Sequence, residues 1–195
     1  MSDTSASLLQ RLREQPQGEA WQRLVGIYTP LLKQWLGRYG LQASDVDDLV
    51  QDVMAVVVRE MPQFEHHQRA GAFRRWLRTI LVNRLRGFWR ARENRPQAGG
   101  DSDLGQMLDQ LEDPQSGLSQ LWDKEHDRHV MARLLEQIEA EVRPPTWQAF
   151  RRVVLDGKDE ETVATELGIS VNAVFIAKSR VLARLRREAQ DLLDS

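Results

Sequence analysis

The 195-residue chain contains no cysteine, which excludes disulfide bridges, thiolate metal ligands and a cysteine nucleophile. It also lacks a long hydrophobic run: its longest strictly apolar stretch is VMAVVV at residues 53–58. A membrane span needs about 20 apolar residues. The N-terminal stretch MSDTSASLLQRLREQ has no basic start followed by an apolar segment, so it does not indicate a signal peptide. These absences favour a soluble cytoplasmic protein without membrane insertion.

Charge is unevenly distributed along the chain, although the formal net charge is only -2. Residues 69–95 contain nine arginines and a single acid, Glu93. Residues 96–127 contain eight acids and one base, Lys124, and residues 171–190 contain five bases and one acid. Basic surface is suited to phosphates and acidic surface to basic grooves. We therefore expect partners for these blocks, nucleic acid being one of them.

Apolar residues recur at helical spacing along most of the chain, and no segment alternates as a strand would. Within the first such stripe, at residues 18–39, Thr29-Pro30 indicates either a kink or the start of a second helix. Ser44 is the predicted N-cap of the next helix, with Asp47 as its capping-box partner. The pattern predicts an all-α protein with two small helical domains joined by a flexible acidic linker.

The stretch FRRWLRTILVNRLRGFWRAR, residues 73–92, contains seven arginines, two tryptophans and two phenylalanines but no carboxylate. In an amphipathic helix, Phe73 and Leu77 would belong to the core and the arginines would be solvated. That interpretation does not account for the missing acids. Arginine together with tryptophan and asparagine suits single-stranded DNA, because guanidinium groups bind phosphates and rings stack on bases. The helix is therefore predicted to bind separated DNA strands.

The C-terminal stretch DEETVATELGISVNAVFIAKSRVLARLRRE is typical of a helix-turn-helix. Gly168 is placed to end one helix and Ser170 to cap the next, while Ala164 and Val174 sit where close packing is needed. The second helix would present a polar and basic face to bases and phosphates. The predicted outward residues are Asn172, Phe175, Lys178, Ser179 and Arg180.

No catalytic, metal or cofactor site is indicated. His66-His67 lacks a third ligand at a suitable spacing. Three acids at helical spacing, Asp45, Asp48 and Asp52, lack the phosphate-binding loop and basic partner of a nuclease. We therefore expect a non-catalytic protein without a cofactor.

Three motifs, in this order, resemble conserved regions of the sigma-70 family of RNA polymerase sigma factors. SDVDDLVQDVMAVVVREMPQF resembles the helix of region 2 that binds the core polymerase. GAFRRWLRTILVNRLRGFWRAR resembles the segment that recognises and melts the −10 element, and ATELGISVNAVFIAKSRVLARLR resembles region 4, which reads the −35 element. With two domains and a short tether, the chain is most similar to the extracytoplasmic-function group, over about residues 7–92 and 130–190.

The resemblance implies a transcription initiation factor that directs core RNA polymerase to specific promoters and is itself not an enzyme. Region 2 would span residues 7–95, an acidic linker residues 96–127 and region 4 residues 128–195. The implied partners are the clamp helices of core polymerase and promoter DNA, both duplex and single-stranded. An anti-sigma factor is a further candidate partner.

The family's functional positions are carried over residue by residue. Contacts to the core polymerase are expected from Asp48, Leu49, Gln51, Asp52 and Val53. Contacts to the −10 element are expected from Phe64, Arg69, Arg75, Trp76, Asn83 and Arg84. Contacts to the −35 element are expected from Ser170, Asn172, Ala173, Phe175, Lys178, Ser179 and Arg180. The chain departs from the family at Gly87, where an aspartate is usual, and a mid-helix glycine predicts an end or bend in the helix.

Two other interpretations are compatible with the residues. An ordinary helix-turn-helix regulator would bind duplex DNA without joining the polymerase. The helix at 44–60 would then have no partner, and the aromatics at 73–92 would belong wholly to the core. A non-catalytic adaptor held by another protein would leave the basic helices unexplained.

Overall fold

The computed structural model of the protein describes residues 7–14, 18–64, 71–93, 102–190 and 192–193. Within these ranges the chain forms nine α-helices and no strand, which confirms the predicted all-α class. None of the described helices is both long and apolar enough to cross a membrane. The helices are α1 (Leu8–Glu14), α2 (Glu19–Leu36), α3 (Ala43–Glu60), α4 (Ala72–Glu93), α5 (Ser102–Glu112), α6 (Gly117–Glu141), α7 (Pro144–Phe150), α8 (Glu160–Leu167) and α9 (Val171–Ala189).

The α2 helix continues through Pro30 without starting a second helix. A proline inside a helix has no N–H for the carbonyl four residues earlier, here that of Gly26. That carbonyl instead accepts a hydrogen bond from Arg133 Nη2 of α6 at 3.2 Å. A helix distant in sequence therefore satisfies the group that Pro30 leaves without its usual donor.

Two local predictions about helix boundaries were wrong. The α3 helix begins at Ala43 after Gln42, which makes no side-chain cap, so Ser44 lies inside the helix and is not its N-cap. The α4 helix runs uninterrupted through Gly87 to Glu93. A single mid-helix glycine costs only about 1 kcal/mol relative to alanine, which the packing of a 22-residue helix can offset.

Helices α1 to α6 share one hydrophobic core. Tyr28, Trp35, Phe73 and Trp122 are among its fully buried side chains, and Leu192 after α9 also joins it. The rings of Trp35 and Trp122 meet edge to face with centroids 5.0 Å apart. Because Trp122 belongs to α6, this core extends beyond the segment that resembles region 2.

The described part of the predicted flexible linker is helical and packed. Leu108 and Leu111 of α5 and Trp122 of α6 are at most 2% exposed. Residues 94–101 lie outside the described residues. The acidic composition of this segment suggested a solvated linker. Several of its acids instead pair with arginines of α4. The α6 helix also passes across the predicted domain boundary at residue 128.

Helices α7 to α9 form a second unit with small cores of its own. Val163, Ala164, Val174 and Ala177 pack between α8 and α9. The C-terminal part of α6 contributes Ile138 to a neighbouring cluster with Trp147, Phe150 and Val181. At the far end of α9, the carboxylate of Glu188 is 1% exposed and lies 2.7 Å from Arg11 of α1. Thus α6 and the end of α9 both connect the two units.

Candidate nucleic-acid and polymerase interfaces

The arginines of α4 divide into a paired face and an unpaired face. On the paired face, Arg74 and Arg78 are 5% and 4% exposed. Arg74 Nε lies 2.9 Å from Oδ1 of Asp123, and its Nη1 donates to Oδ1 of Asp127 at 2.6 Å. Arg78 donates to the buried hydroxyl of Ser119 and to Asp123 at 3.2 Å. These two guanidinium groups therefore attach α4 to α6.

Arg86 extends the paired face toward α5. Its guanidinium lies 2.7 Å from Asp109 and 2.8 Å from Glu112. Partial burial opposes the charged form, but hydrogen bonds to Glu112 and Asp109 raise the pKa of Arg86 above its ordinary value. Acids of the predicted linker thus neutralise part of the basic block.

A buried polar chain adjoins this pairing. Nδ1 of His126 lies 2.9 Å from Asp127, and its Nε2 lies 3.0 Å from the hydroxyl of Tyr28. Burial lowers the pKa of His126, so the ring is neutral near pH 7. A neutral ring that donates from Nδ1 to the carboxylate must accept at Nε2, and the hydroxyl of Tyr28 is therefore the donor there.

The other face of α4 is exposed and cationic. No carboxylate of the described residues lies within ion-pair distance of Arg75, Arg84 or Arg90. Arg75, Thr79, Asn83, Gly87 and Arg90 are exposed and follow one another at intervals of about one turn, and exposed Arg84 lies next to Asn83 in sequence. We call this surface the α4 stripe, and its members are Arg75, Thr79, Asn83, Arg84, Gly87 and Arg90.

The aromatic side chains near the stripe are less available than the sequence indicated. Phe64 is 9% exposed and stacks on Trp76 with ring centroids 4.5 Å apart. Trp76 is half-buried against the core, and Phe73 is fully buried as predicted. Arg69 and the two histidines at 66 and 67 lie outside the described residues.

The acids of α3 also fall into two groups. Asp47 lies 2.7 Å from Lys33, and Asp45 lies 3.4 Å from Arg92. Asp48 and Asp52 are exposed, and no cation of the described residues lies within ion-pair distance of either. Two acids of α3 thus have internal partners, whereas two are free to meet another molecule.

The remaining polymerase-contact candidates differ in exposure. Gln51 is exposed beside Asp52, so it can contact another molecule. Leu49 and Val53 are 3% and 0% exposed and belong to the core. In this structure their contribution is to hold α3 in place.

A groove between α3 and α4 brings the two unpaired surfaces together. Its volume is about 390 Å³. It is lined by Asp48, Leu49, Asp52, Asn83, Arg84, Gly87 and Phe88. A Cβ atom at Gly87 would meet nothing within 4 Å, so this position leaves the groove open. Carboxylates on one wall therefore lie opposite a guanidinium and an amide on the other.

The turn of the helix-turn-helix forms as predicted. Gly168 adopts φ 64° and ψ 33°, a left-handed conformation that favours glycine, and ends α8. The backbone N–H of Ile169 donates to Ala164 at 3.0 Å. The hydroxyl of Ser170 accepts from the N–H of Ala173 at 3.1 Å and caps α9.

The outward face of α9 contains most of the predicted −35 residues. Asn172, Ser179 and Arg180 are exposed, Ala173 and Lys178 are half-buried, and Lys178 Nζ lies 2.5 Å from Glu160. Phe175 is 56% exposed. The capping residue Ser170 is also exposed.

Sequence reasoning missed Ile176, which is 40% exposed on the same face of α9. Its position beside Phe175 and outside the Val174–Ala177–Val181 stripe was the available signal. It was missed because an isoleucine in an amphipathic helix is normally assigned to the core.

Comparisons with known proteins find a family model and a relative that match this chain. The family model described as Sigma-70 region 2 matches residues 24–95, which contain α3, α4 and the groove between them. The chain is similar to the RNA polymerase sigma factor CnrH of Cupriavidus metallidurans. The two are 26% identical over 178 residues, which cover 90% of this chain and 87% of the relative.

Proposed function

We propose a division of labour among the helices of this chain, which belongs to the sigma-70 family of RNA polymerase sigma factors, in its extracytoplasmic-function group. The division follows from its function as a promoter-specific transcription initiation factor. The α3 face binds the clamp helices of core polymerase, the α4 stripe holds the opened −10 element, and α9 reads the −35 element as duplex. In this proposal residues 7–95 act as region 2 and residues 128–195 as region 4. Residues 96–127 connect them.

The groove between α3 and α4 is the observation that supports this proposal most. It places Asp48 and Asp52, which are exposed and have no cationic partner in the part of the chain that the structure describes, beside the α4 stripe. Carboxylates repel DNA phosphates, so the α3 wall is suited to a basic protein surface and not to DNA. The α4 stripe has the opposite character. A single DNA strand along the stripe would therefore run next to the polymerase.

The chemistry of the α4 stripe suits a single strand. Among the described residues, no carboxylate has to be released before Arg75, Arg84 or Arg90 contacts a phosphate, and the amide of Asn83 can hydrogen-bond a base edge. Trp76 is half-buried, so it can offer one edge or face to a base while remaining stacked on Phe64. Arg74, Arg78 and Arg86 are instead assigned to structure, because α5 and α6 already occupy them.

The recognition helix α9 follows the docking geometry of a helix-turn-helix. The exposed Asn172, Ser179 and Arg180 lie in its first three turns, where side chains reach base edges and phosphates in the major groove. Arg180 has no carboxylate partner among the described residues. A phosphate can therefore bind it without displacing an internal contact.

The proposal is tested by adding the purified chain to sigma-free core polymerase with fragmented genomic DNA and mapping the transcripts that start. One variant combines Asp48→Lys with Asp52→Lys, and a second combines Asn83→Ala with Arg84→Ala. We expect start sites that share two upstream elements with the unaltered chain, and loss of these transcripts with either variant.

A matched control combines Glu139→Lys with Asp156→Lys, which makes the same charge change at exposed acids outside the groove. This control should support transcription. If the unaltered chain gives no defined starts but binds specific duplex DNA, and neither groove variant weakens that binding, the chain is a duplex-binding regulator and the proposal fails.

A further inference from the structure

We propose that Phe175, with Ile176 beside it, recognises the 5-methyl group of thymine in the upstream promoter element. This inference rests on the proposed function and deepens it, because it names a base that α9 selects. The observation behind it is a patch of exposed apolar side chains in the first two turns of a recognition helix.

The core of the second unit does not use these side chains. Val174 and Ala177 of α9 are 0% and 7% exposed and pack on α8. Phe175 and Ile176 lie between them in sequence but remain 56% and 40% exposed, and Val171 one turn earlier is 46% exposed. Val171 and Phe175 are four positions apart and therefore neighbours on the helix surface. Exposed apolar surface is unfavourable in water, so three such side chains in the first two turns of one helix indicate contact with another molecule.

The surroundings of the patch favour DNA as that molecule. Exposed Asn172, Ser179 and Arg180 border it on the outward side of α9. The ammonium of Lys178 lies 5.7 Å from the centroid of the Phe175 ring and is itself held by Glu160. A patch flanked by cations and hydrogen-bonding groups matches a groove lined by phosphates better than it matches an apolar protein surface.

The major groove offers one apolar group on its base edges. Guanine, cytosine and adenine present only hydrogen-bond donors and acceptors there, whereas thymine also presents its methyl group. Phenylalanine is among the side chains that contact this methyl group in protein–DNA complexes. A recognition helix whose outward second turn is apolar therefore selects thymine at the position that this turn faces.

The test removes only the methyl group from the DNA. Promoter duplexes are first selected from a random pool by core polymerase bound to the full-length chain. Each thymine of the upstream element is then replaced in turn by uracil, which pairs with adenine in the same way. At one or two positions we expect uracil to weaken binding about fourfold, the effect of losing one buried methyl group.

The Phe175→Ala variant completes the comparison. It should bind the thymine and uracil duplexes equally, at the level of the unaltered chain on uracil. A control variant, Leu155→Ala, removes a side chain that is 50% exposed but lies outside α9, and it should keep the preference for thymine. Because both altered side chains are exposed, circular dichroism of the two variants should match that of the unaltered chain.

The possible failures are distinguishable. If an upstream element is selected but uracil is tolerated at each of its positions, or the element contains no thymine, this inference is wrong and the proposed function stands. If Phe175→Ala keeps the preference for thymine, the assignment to Phe175 is wrong. If Phe175→Ala weakens binding of core polymerase without DNA and uracil has no effect, the patch contacts protein. If no upstream element is selected at all, both proposals fail.

Discussion

Two neighbouring arginines of α4 should respond to mutation in opposite ways. Arg74 is 5% exposed and pairs with Asp123 and Asp127, whereas Arg75 is exposed and has no carboxylate partner among the described residues. We expect Arg74→Ala to destabilise the fold and Arg75→Ala to leave its stability unchanged while weakening DNA binding. Sequence alone gives no reason for this difference between adjacent, identical residues.

The magnitude for Arg74 follows from what the substitution leaves behind. Breaking a buried ion pair by removing one partner costs about 3–5 kcal/mol. The side chains of Asp123 and Asp127 are 32% and 37% exposed, so water can solvate them in part, and the lower end of that range applies. We therefore expect a loss of about 3 kcal/mol, which for a chain of this length lowers Tm by roughly 6–12 °C. Arg75→Ala should stay within about 0.5 kcal/mol of the unaltered chain.

Urea unfolding followed by tryptophan fluorescence and by circular dichroism measures both values. Coincidence of the two signals checks that unfolding is a single transition. Binding of a single-stranded −10 oligonucleotide by the polymerase complex provides the second reading for Arg75→Ala. Equal stability of the two variants, or a larger loss for Arg75→Ala than for Arg74→Ala, would refute the separation of α4 into paired and unpaired faces.

Three further predictions concern stability. Burial lowers the pKa of His126 below the ordinary value of 6.5, so the unfolded chain takes up a proton that the folded chain resists. Stability should therefore fall as pH decreases below about 6.5, by at most about 1.4 kcal/mol per pH unit. The difference between the urea midpoints at pH 7 and pH 5.5 should be smaller for His126→Gln than for the unaltered chain. An equal difference in the two proteins would contradict this. Gly87→Ala should stabilise the protein by about 0.5–1 kcal/mol, because the position is helical and a Cβ there meets nothing within 4 Å. A Tm below that of the unaltered chain would contradict this and show that the packing of α3 on α4 requires a glycine. Glu188→Ala should cost about 3 kcal/mol of stability, since it removes a carboxylate that is 1% exposed and pairs with Arg11 and Arg23. A change below about 1 kcal/mol in urea unfolding would argue against this link between α9 and α1.

Local chemistry made part of the fold predictable. Gly168 and Ser170 fix the turn and cap of the helix-turn-helix through contacts within five residues, and both formed as expected. The stripe of buried residues on α3 was equally visible, because helical periodicity alone determines it. Ser44 shows how far such predictions can be off at a helix boundary. A serine in the first turn of a helix cannot be distinguished by sequence from a serine that caps the helix one or two positions earlier.

The pairing of the basic and acidic blocks could not be read from local pattern. Arg74 and Asp127 are 53 positions apart, and composition alone made the acidic block look like a solvated linker. Once α4, α5 and α6 pack together, these acids neutralise three arginines of α4, whereas no carboxylate of the described residues pairs with Arg75, Arg84 or Arg90. The division of one basic helix into structural and available arginines is thus a tertiary property.

The candidate groove has the same origin. Asp48 and Asp52 were expected to contact polymerase, and Asn83 and Arg84 to contact DNA, as separate motifs. Their placement on opposite walls of one groove depends on how α3 packs on α4. Sequence therefore suggested the residue types, and the packing of the two helices determined which of them are adjacent.

Permanganate reactivity of −10 thymines distinguishes a polymerase-binding role of α3 from a role of the α4 stripe in holding the opened −10 element. Asn83→Ala with Arg84→Ala should abolish reactivity on duplex promoters, although the variant still binds core polymerase. A premelted −10 element should restore its transcription. Asp48→Lys with Asp52→Lys should fail to bind core polymerase and should not be rescued by premelting. Rescue of both variants by premelting, or of neither, would show that α3 and the α4 stripe do not have these separate roles.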